Sequence, residues 1–238
     1  MDSTNQTSSK DSVRAVDRAL AILNAFNEKD RELTAAELLH RVSLSRPTLY
    51  RLLHSLENSG HIASYSPPDG EAQRFRLGPS IAGIARAWTT TQDITVIAQP
   101  LMHRLWQQTQ ETVSLFIRQQ QHRLCVAEIQ SPQALSFKRG VGFRENLSLG
   151  ASGQVILAFD DTVMDTPALK AIRKRGYAVS NSALIEGATA IAAPVFDKNR
   201  VVYGSIAVFG PTLRLTSAQV NSIATLTVRC AENLSSAI

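Results

Sequence analysis

The sequence predicts an α+β protein in two domains, a small helix-and-hairpin unit followed by a larger unit of strands with flanking helices. Three observations point there. The first third carries three helical periodicities and then a strand–turn–strand signal. Short β-rich runs recur between residues 112 and 209. An amphipathic helical stretch over 79–92 separates the two regions. The expected division is a polar, disordered tail over 1–10, a first domain over 11–78, a linker helix over 79–92 and a second domain over 93–238.

Val13, Val16, Leu20, Leu23 and Phe26 recur at helical spacing with Ala19 on the same face, which predicts an amphipathic first helix. Asp30-Arg31 breaks the pattern. Thr34-Ala35-Ala36-Glu37 has the form of a capping box, in which the threonine hydroxyl accepts from the backbone and the glutamate reaches back. A short helix carrying Leu38, Leu39 and Val42 follows. Ser45 suits an N-cap and Pro47 a first helical turn. The next helix aligns Leu49, Leu52, Leu53 and Leu56 and runs to about Asn58, with Gly60 as its stop. Ile62–Tyr65 and Arg74–Leu77 read as strands about the turn Pro67-Pro68-Asp69-Gly70.

Two helices joined by a tight turn over a third form a helix-turn-helix, and a hairpin directly behind them is a wing. The face opposite the leucines presents Pro47, Arg51, His54 and Asn58, with Arg46 and Tyr50 beside its N-terminal end. No acid occurs between Arg41 and Glu57, where phosphate would repel one. Arginine grips phosphate or reads guanine edges, and tyrosine donates to phosphate or packs on sugar. Arg74 stands where a wing meets the DNA backbone or minor groove; Arg76 reads equally as a surface residue. The expected DNA contacts are Ser45, Arg46, Pro47, Thr48, Tyr50, Arg51 and Arg74. The plainer alternative is a solvated helix face.

Composition bounds the function without choosing it. A net charge of +5 suits a polyanion, but residues 1–90 hold 11 Lys/Arg against 10 Asp/Glu, so the excess lies elsewhere. No apolar run is long enough for a membrane span, and Met1–Lys10 has no signal-peptide core. Cys125 and Cys230 show no CxxC spacing, and the five histidines are scattered, so neither a zinc site nor a disulfide framework is expected. The expectation is a cytoplasmic protein with no cofactor, no metal and no membrane partner.

In the second region, Ile94, Ile97, Leu101 and Leu105 predict a helix that Pro100 should kink or delay. Strands are expected over Thr112–Ile117, Leu124–Ile129, Ala134–Lys138, Tyr177–Ser180, Ala190–Phe196 and Val201–Phe209. Arg118–Arg123 should be the first hairpin loop, Val155–Phe159 a short apolar helix, and Ser217–Ala237 a closing helix.

Several stretches, in order, resemble the IclR family of bacterial transcription regulators. They are Ala19–Leu23, Leu44–Leu53, Phe75–Gly78, Thr109–Val113, Arg175-Gly176-Tyr177, Ala192–Val195 and Gly210-Pro211. The resemblance implies a winged helix-turn-helix, a linker helix and a GAF-like effector-binding domain. It also implies homodimers or tetramers on double-stranded operator DNA. The segment Asp160–Lys174 is shorter than the family usually carries.

By the same resemblance, effectors lie between the sheet and the loop opening the helix at Ala151-Ser152-Gly153. Orphan N–H groups at a helix start favour a carboxylate there, which makes Ala151 and Ser152 its anchors. Positions that are polar in relatives binding very small oxoacids correspond here to Ser180, Ala190, Ala207 and Phe209, and three of these four are apolar. An apolar wall rewards a ring, at about 25 cal/mol per Å² buried. An aromatic or otherwise apolar-bodied carboxylate is therefore the expected effector, with Ser114 and Glu128 as further pocket residues. Two other functions stay in view. One is a ligand-binding or protein-interaction module without DNA binding; the other is an enzyme acting on a small acid, for which no catalytic motif is present.

Overall fold

A computed structural model describes residues 13–27, 30–68, 70–91 and 93–238. The polar tail over 1–10 and the turn residue Asp69 lie outside the described residues. The chain divides into two compact units after Thr91.

The first unit runs α1 (Arg14–Leu23), β1 (Glu32–Thr34), α2 (Ala35–Arg41), α3 (Arg46–Asn58), β2 (Ile62–Tyr65), β3 (Arg74–Leu77) and α4 (Ser80–Thr91). The capping box forms as expected: Thr34 N donates to Glu37 Oε2 at 2.7 Å and Glu37 N to Thr34 Oγ1 at 3.3 Å. Ile22, Phe26, Leu38, Leu49, Leu53, Ile62 and Phe75 share one core.

Three details differ from expectation. Val13, Val16 and Leu20 are 65%, 54% and 51% exposed, because α1 packs through the neighbouring stripe of Ala19, Ile22, Leu23 and Phe26. Ser45 sits at the N-cap of α3, but its hydroxyl meets Thr48 Oγ1 at 2.9 Å instead of capping the backbone. The segment after Arg31 is not merely a break: β1 joins the hairpin as a third strand, in the order β1-β3-β2, with Leu33 opposite Phe75. One inward residue in three is too little alternation to read as a strand.

Gly60, with φ of +71°, ends α3 in the left-handed region. Gly78 N then donates to His61 O at 2.7 Å and Ser80 N to Gly60 O at 3.0 Å. The start of α4 is thereby pinned to the end of α3.

The second unit runs α5 (Asp93–Thr109), β4 (Thr112–Gln119), β5 (His122–Ile129), β6 (Arg144–Asn146), α6 (Gly150–Ala158), α7 (Pro167–Arg175), β7 (Ala178–Asn181), β8 (Ala188–Phe196), β9 (Val202–Pro211) and α8 (Ser217–Ser235). Its six-stranded antiparallel sheet has the order β6-β5-β4-β9-β8-β7. Alternation puts Phe116, Cys125, Ala178, Ala192 and Ala207 on one face, against Ala151, Val155 and Ala158 of α6 and Ile172 of α7. The other face buries Val113, Leu115, Ile191, Ile206 and Val208, where α5 and α8 pack.

Pro100 sits inside α5 without ending it. The hairpin loop shrinks to Gln120 and Gln121, since Arg118 and Arg123 are paired across the strands. Ala134–Lys138 is not a strand. Its carbonyls are taken by side chains instead, Phe137 O by Thr112 Oγ1 at 2.7 Å and Leu135 O by Arg214 Nη2 at 2.9 Å. The sheet edge is β6, and α6 begins at Gly150, five residues before the expected Val155. The shortened 160–174 segment still forms a helix, α7, capped by Thr166 Oγ1 on Leu169 N at 3.2 Å and ended by Gly176 at φ +80°.

Candidate DNA interface and effector pocket

In the first unit, burial of Leu49 and Leu53 turns the opposite side of α3 outward. Ser45, Arg46, Pro47, Tyr50 and Arg51 are exposed, and Thr48 is half-buried. Arg46 and Arg51 make no ion pair among the described residues. Both guanidinium groups are available to a polyanion. Glu57, the nearest acid on α3, is turned to the wing, where it accepts from Ser64 Oγ.

The wing residue Arg74 pairs with Glu71 at 3.2 Å, and that bond holds its guanidinium firmly charged. The pair is open to solvent, which screens it, so a phosphate can displace the carboxylate. Arg76 lies 5.8 Å from the Tyr65 ring, whose hydroxyl donates to Glu32 at 2.6 Å. This fixes the hairpin on β1.

In the second unit, Ala151, Ser152, Ser180, Ala190, Ala207 and Phe209 all line one cavity beneath the first turn of α6. Strand register explains the gathering, because Ser180, Ala190 and Phe209 stand side by side on neighbouring strands with Ala207 two residues along. Ser180 Oγ accepts from Ala151 N at 3.0 Å, which satisfies one orphan N–H of the helix start. The cavity encloses about 40 Å³, room for roughly three waters at ~10–15 Å³ each. Leu184, in the turn between β7 and β8, closes one side.

Ser114 and Glu128 do not line this cavity. Ser114 Oγ donates to Glu128 Oε2 at 2.9 Å, and the same carboxylate accepts from Arg139 N at 3.0 Å and Gly140 N at 3.1 Å. Their work is to hold the 139–140 loop against β5. Cys125 and Cys230 are buried, and burial pushes both thiols up to about 12, far from thiolate at neutral pH.

A wider groove of about 440 Å³ lies between β7 and the start of α8. Its one guanidinium, Arg175, is spent on Tyr177: Nε donates to the Tyr177 carbonyl at 2.6 Å and Cζ lies 5.1 Å from the ring.

Residues 15–64 match the IclR helix-turn-helix domain, and residues 86–166 and 162–236 match the bacterial transcriptional regulator IclR C-terminal domain. The chain belongs to the IclR family.

Among IclR relatives it is 28% identical to the HTH-type transcriptional regulator BhcR of Paracoccus denitrificans, covering 94% of this chain and 86% of that one. It is 27% identical to the HTH-type transcriptional regulator KdgR of Escherichia coli, covering 94% and 92%. The solved IclR transcriptional regulator from Alicyclobacillus acidocaldarius superposes with a TM-score of 0.80 at 22% identity, covering 94% of this chain and 98% of that one. The first unit is thus an IclR winged helix-turn-helix, and the second an IclR effector domain of GAF-like architecture with a curled six-stranded sheet. The protein is a DNA-binding transcription regulator of the bacterial cytoplasm and not an enzyme.

Sequence reasoning missed Arg123, Arg139 and Phe116, which also line the cavity. Arg123 was read as part of a polar loop. The available signal was its phase: it lies two residues before Cys125, on the strand face that turns to α6.

Proposed function

We propose that this IclR regulator binds operator DNA through Ser45, Arg46, Pro47, Thr48, Tyr50, Arg51 and Arg74. In this reading α3 enters the major groove and the wing carries Arg74 to the backbone or minor groove. We further propose that the effector is a carboxylate with an apolar, aromatic body, and that the operon it controls serves aromatic catabolism. The observation that carries this is the composition of the cavity, with Ala190, Ala207, Phe209 and Leu184 as walls and the α6 N-terminus at one end.

A ring exceeds the present volume of about 40 Å³, so its entry displaces Leu184 and the turn between β7 and β8. That displacement is the source of regulation. An effector shifts a population only if it binds one state better than another, and a ligand that demands an opened pocket does so. The 79–92 segment then transmits the change.

A homodimer, alone or paired into a tetramer, is the proposed assembly. The exposed stripe Val13, Val16 and Leu20 on α1 is the kind of apolar surface that association buries. Calorimetry with benzoate, glyoxylate and pyruvate tests the effector class. Benzoate is expected to bind, and tight binding of the two small oxoacids alone contradicts the reading.

A further inference from the structure

Arg123 is 1% exposed, yet among the described residues it has no carboxylate partner within ion-pair distance. Its Nη1 donates to Asn146 O at 2.6 Å, while its Nε is buried with nothing to bond. Its Cζ lies 5.6 Å from the Phe116 ring. Burial pushes the guanidinium down to about 10, so it is still protonated at neutral pH.

The position of this charge is unusual. A Cβ on Gly153 would come 2.6 Å from Arg123 Nη1, and one on Gly150 would come 3.6 Å from Nη2. The guanidinium therefore fills a notch left by two glycines in the first turn of α6, against the positive end of the helix dipole. Arg139 lines the same cavity, half-buried, with Cζ 4.8 Å from the Phe143 ring and no ion pair among the described residues. Glu145 acts on both arginines and Glu128 on Arg139 through their charge, but neither forms an ion pair with them. Glu145 Oε1 accepts from Asn146 N at 2.8 Å, and Glu128 is held by Ser114 and the 139–140 backbone. No acidic side chain lines the cavity. Three sources of positive charge converge on it, and Glu145 and Glu128 offset them only from a distance, outside the cavity lining. Burying such charges without a paired anion costs stability, and an anion in the cavity relieves that cost.

We propose that the effector is a dicarboxylate: Arg123 Nε and the α6 N-terminus bind one acid group in the floor of the cavity, and Arg139 binds the second at its mouth. This rests on the reading of the cavity as the effector pocket. It moves the charge anchor from Ser152 to a pair of arginines. It also sets the ligand's charge at two.

The test uses the full chain and calorimetry at constant ionic strength, with benzoate and benzene-1,3-dicarboxylate as probes. The wild type is expected to bind the diacid at least tenfold more tightly than benzoate. Arg139→Gln should erase that preference and leave benzoate binding in place. Arg123→Met should weaken both acids at least tenfold and, by removing an uncompensated buried charge, leave the ligand-free melting temperature equal or higher. Diacid and benzoate bound equally by the wild type, or affinities unchanged in Arg123→Met, overturn the proposal while leaving a carboxylate effector standing. If neither acid binds but Arg123→Met melts higher, and sulfate raises the melting temperature of the wild type more than that of the variant, the carboxylate reading fails and the anion site remains. A lower melting point for Arg123→Met, together with an unchanged diacid preference in Arg139→Gln, makes both arginines structural.

Discussion

Arg51 and Asp160 illustrate opposite uses of a charged side chain. Arg51 is exposed on α3 with no ion pair among the described residues, and its value lies in what it meets outside the chain. Arg51→Ala is expected to weaken operator binding by about 1–3 kcal/mol if the contact is to a base. A weakening that is uniform across DNA sequences, with the salt slope reduced by about one, would assign it to phosphate. Asp160 is buried and paired with Arg118 at 2.6 Å. Burial opposes its charge, but bonds from Thr162 and Arg118 prevail and hold the carboxyl below the usual range. A depressed folded pKa stabilises above the unfolded value and is lost as pH falls through the folded one. Asp160→Asn should therefore cost about 1–2 kcal/mol at pH 7. Urea denaturation should find the gap from wild type shrinking once the pH is below about 4. The DNA-facing residues were legible because arginine and tyrosine on a helix face without acids form a local pattern. Arg123 was not, since its role depends on glycines of α6 that fold over it from 27 and 30 positions along the chain.

Among elements, the junction between α3 and α4 leaves no room for a side chain. A Cβ on Gly78 would stand 2.2 Å from Gly60 O, a backbone atom that cannot rotate aside. Gly78→Ala should cost about 1–3 kcal/mol, as overpacking does. It should also weaken DNA binding, because the end of α3 must shift. An unchanged melting temperature and operator affinity would show that the two segments are less tightly joined than the geometry indicates. The long elements were readable: α3 from its leucine stripe, β4, β8 and β9 from β-branched and apolar runs, and α8 from its length. The short ones were not. Both β1 and β6 have three residues, below the length at which alternation can be recognised, and each is a strand only because β3 or β5 offers it an edge. α6 was misplaced at its start because Gly150-Ala151-Ser152-Gly153 has loop composition; in the fold this turn packs closely, and a Cβ on Gly153 would stand 2.2 Å from Leu147 O.

For the whole molecule, the sequence specified both family domains, while the assembly and effector depend on surfaces and cavities that need coordinates. Val16→Glu is expected to shift the protein toward monomer in light scattering, because it sets a charge in the exposed α1 stripe. Operator affinity should fall with it, as two half-sites lose their link. An unaltered oligomer would place the interface elsewhere.

Whether this chain binds operator DNA under effector control is decided by titrating it against its own upstream intergenic DNA. The titration is run at two salt concentrations, with and without benzoate and benzene-1,3-dicarboxylate. Sequence-preferring binding that weakens steeply with salt and shifts when an acid is added is expected. Folded protein that binds the acid while showing no preference for that DNA over a random sequence, at either salt concentration, would contradict it.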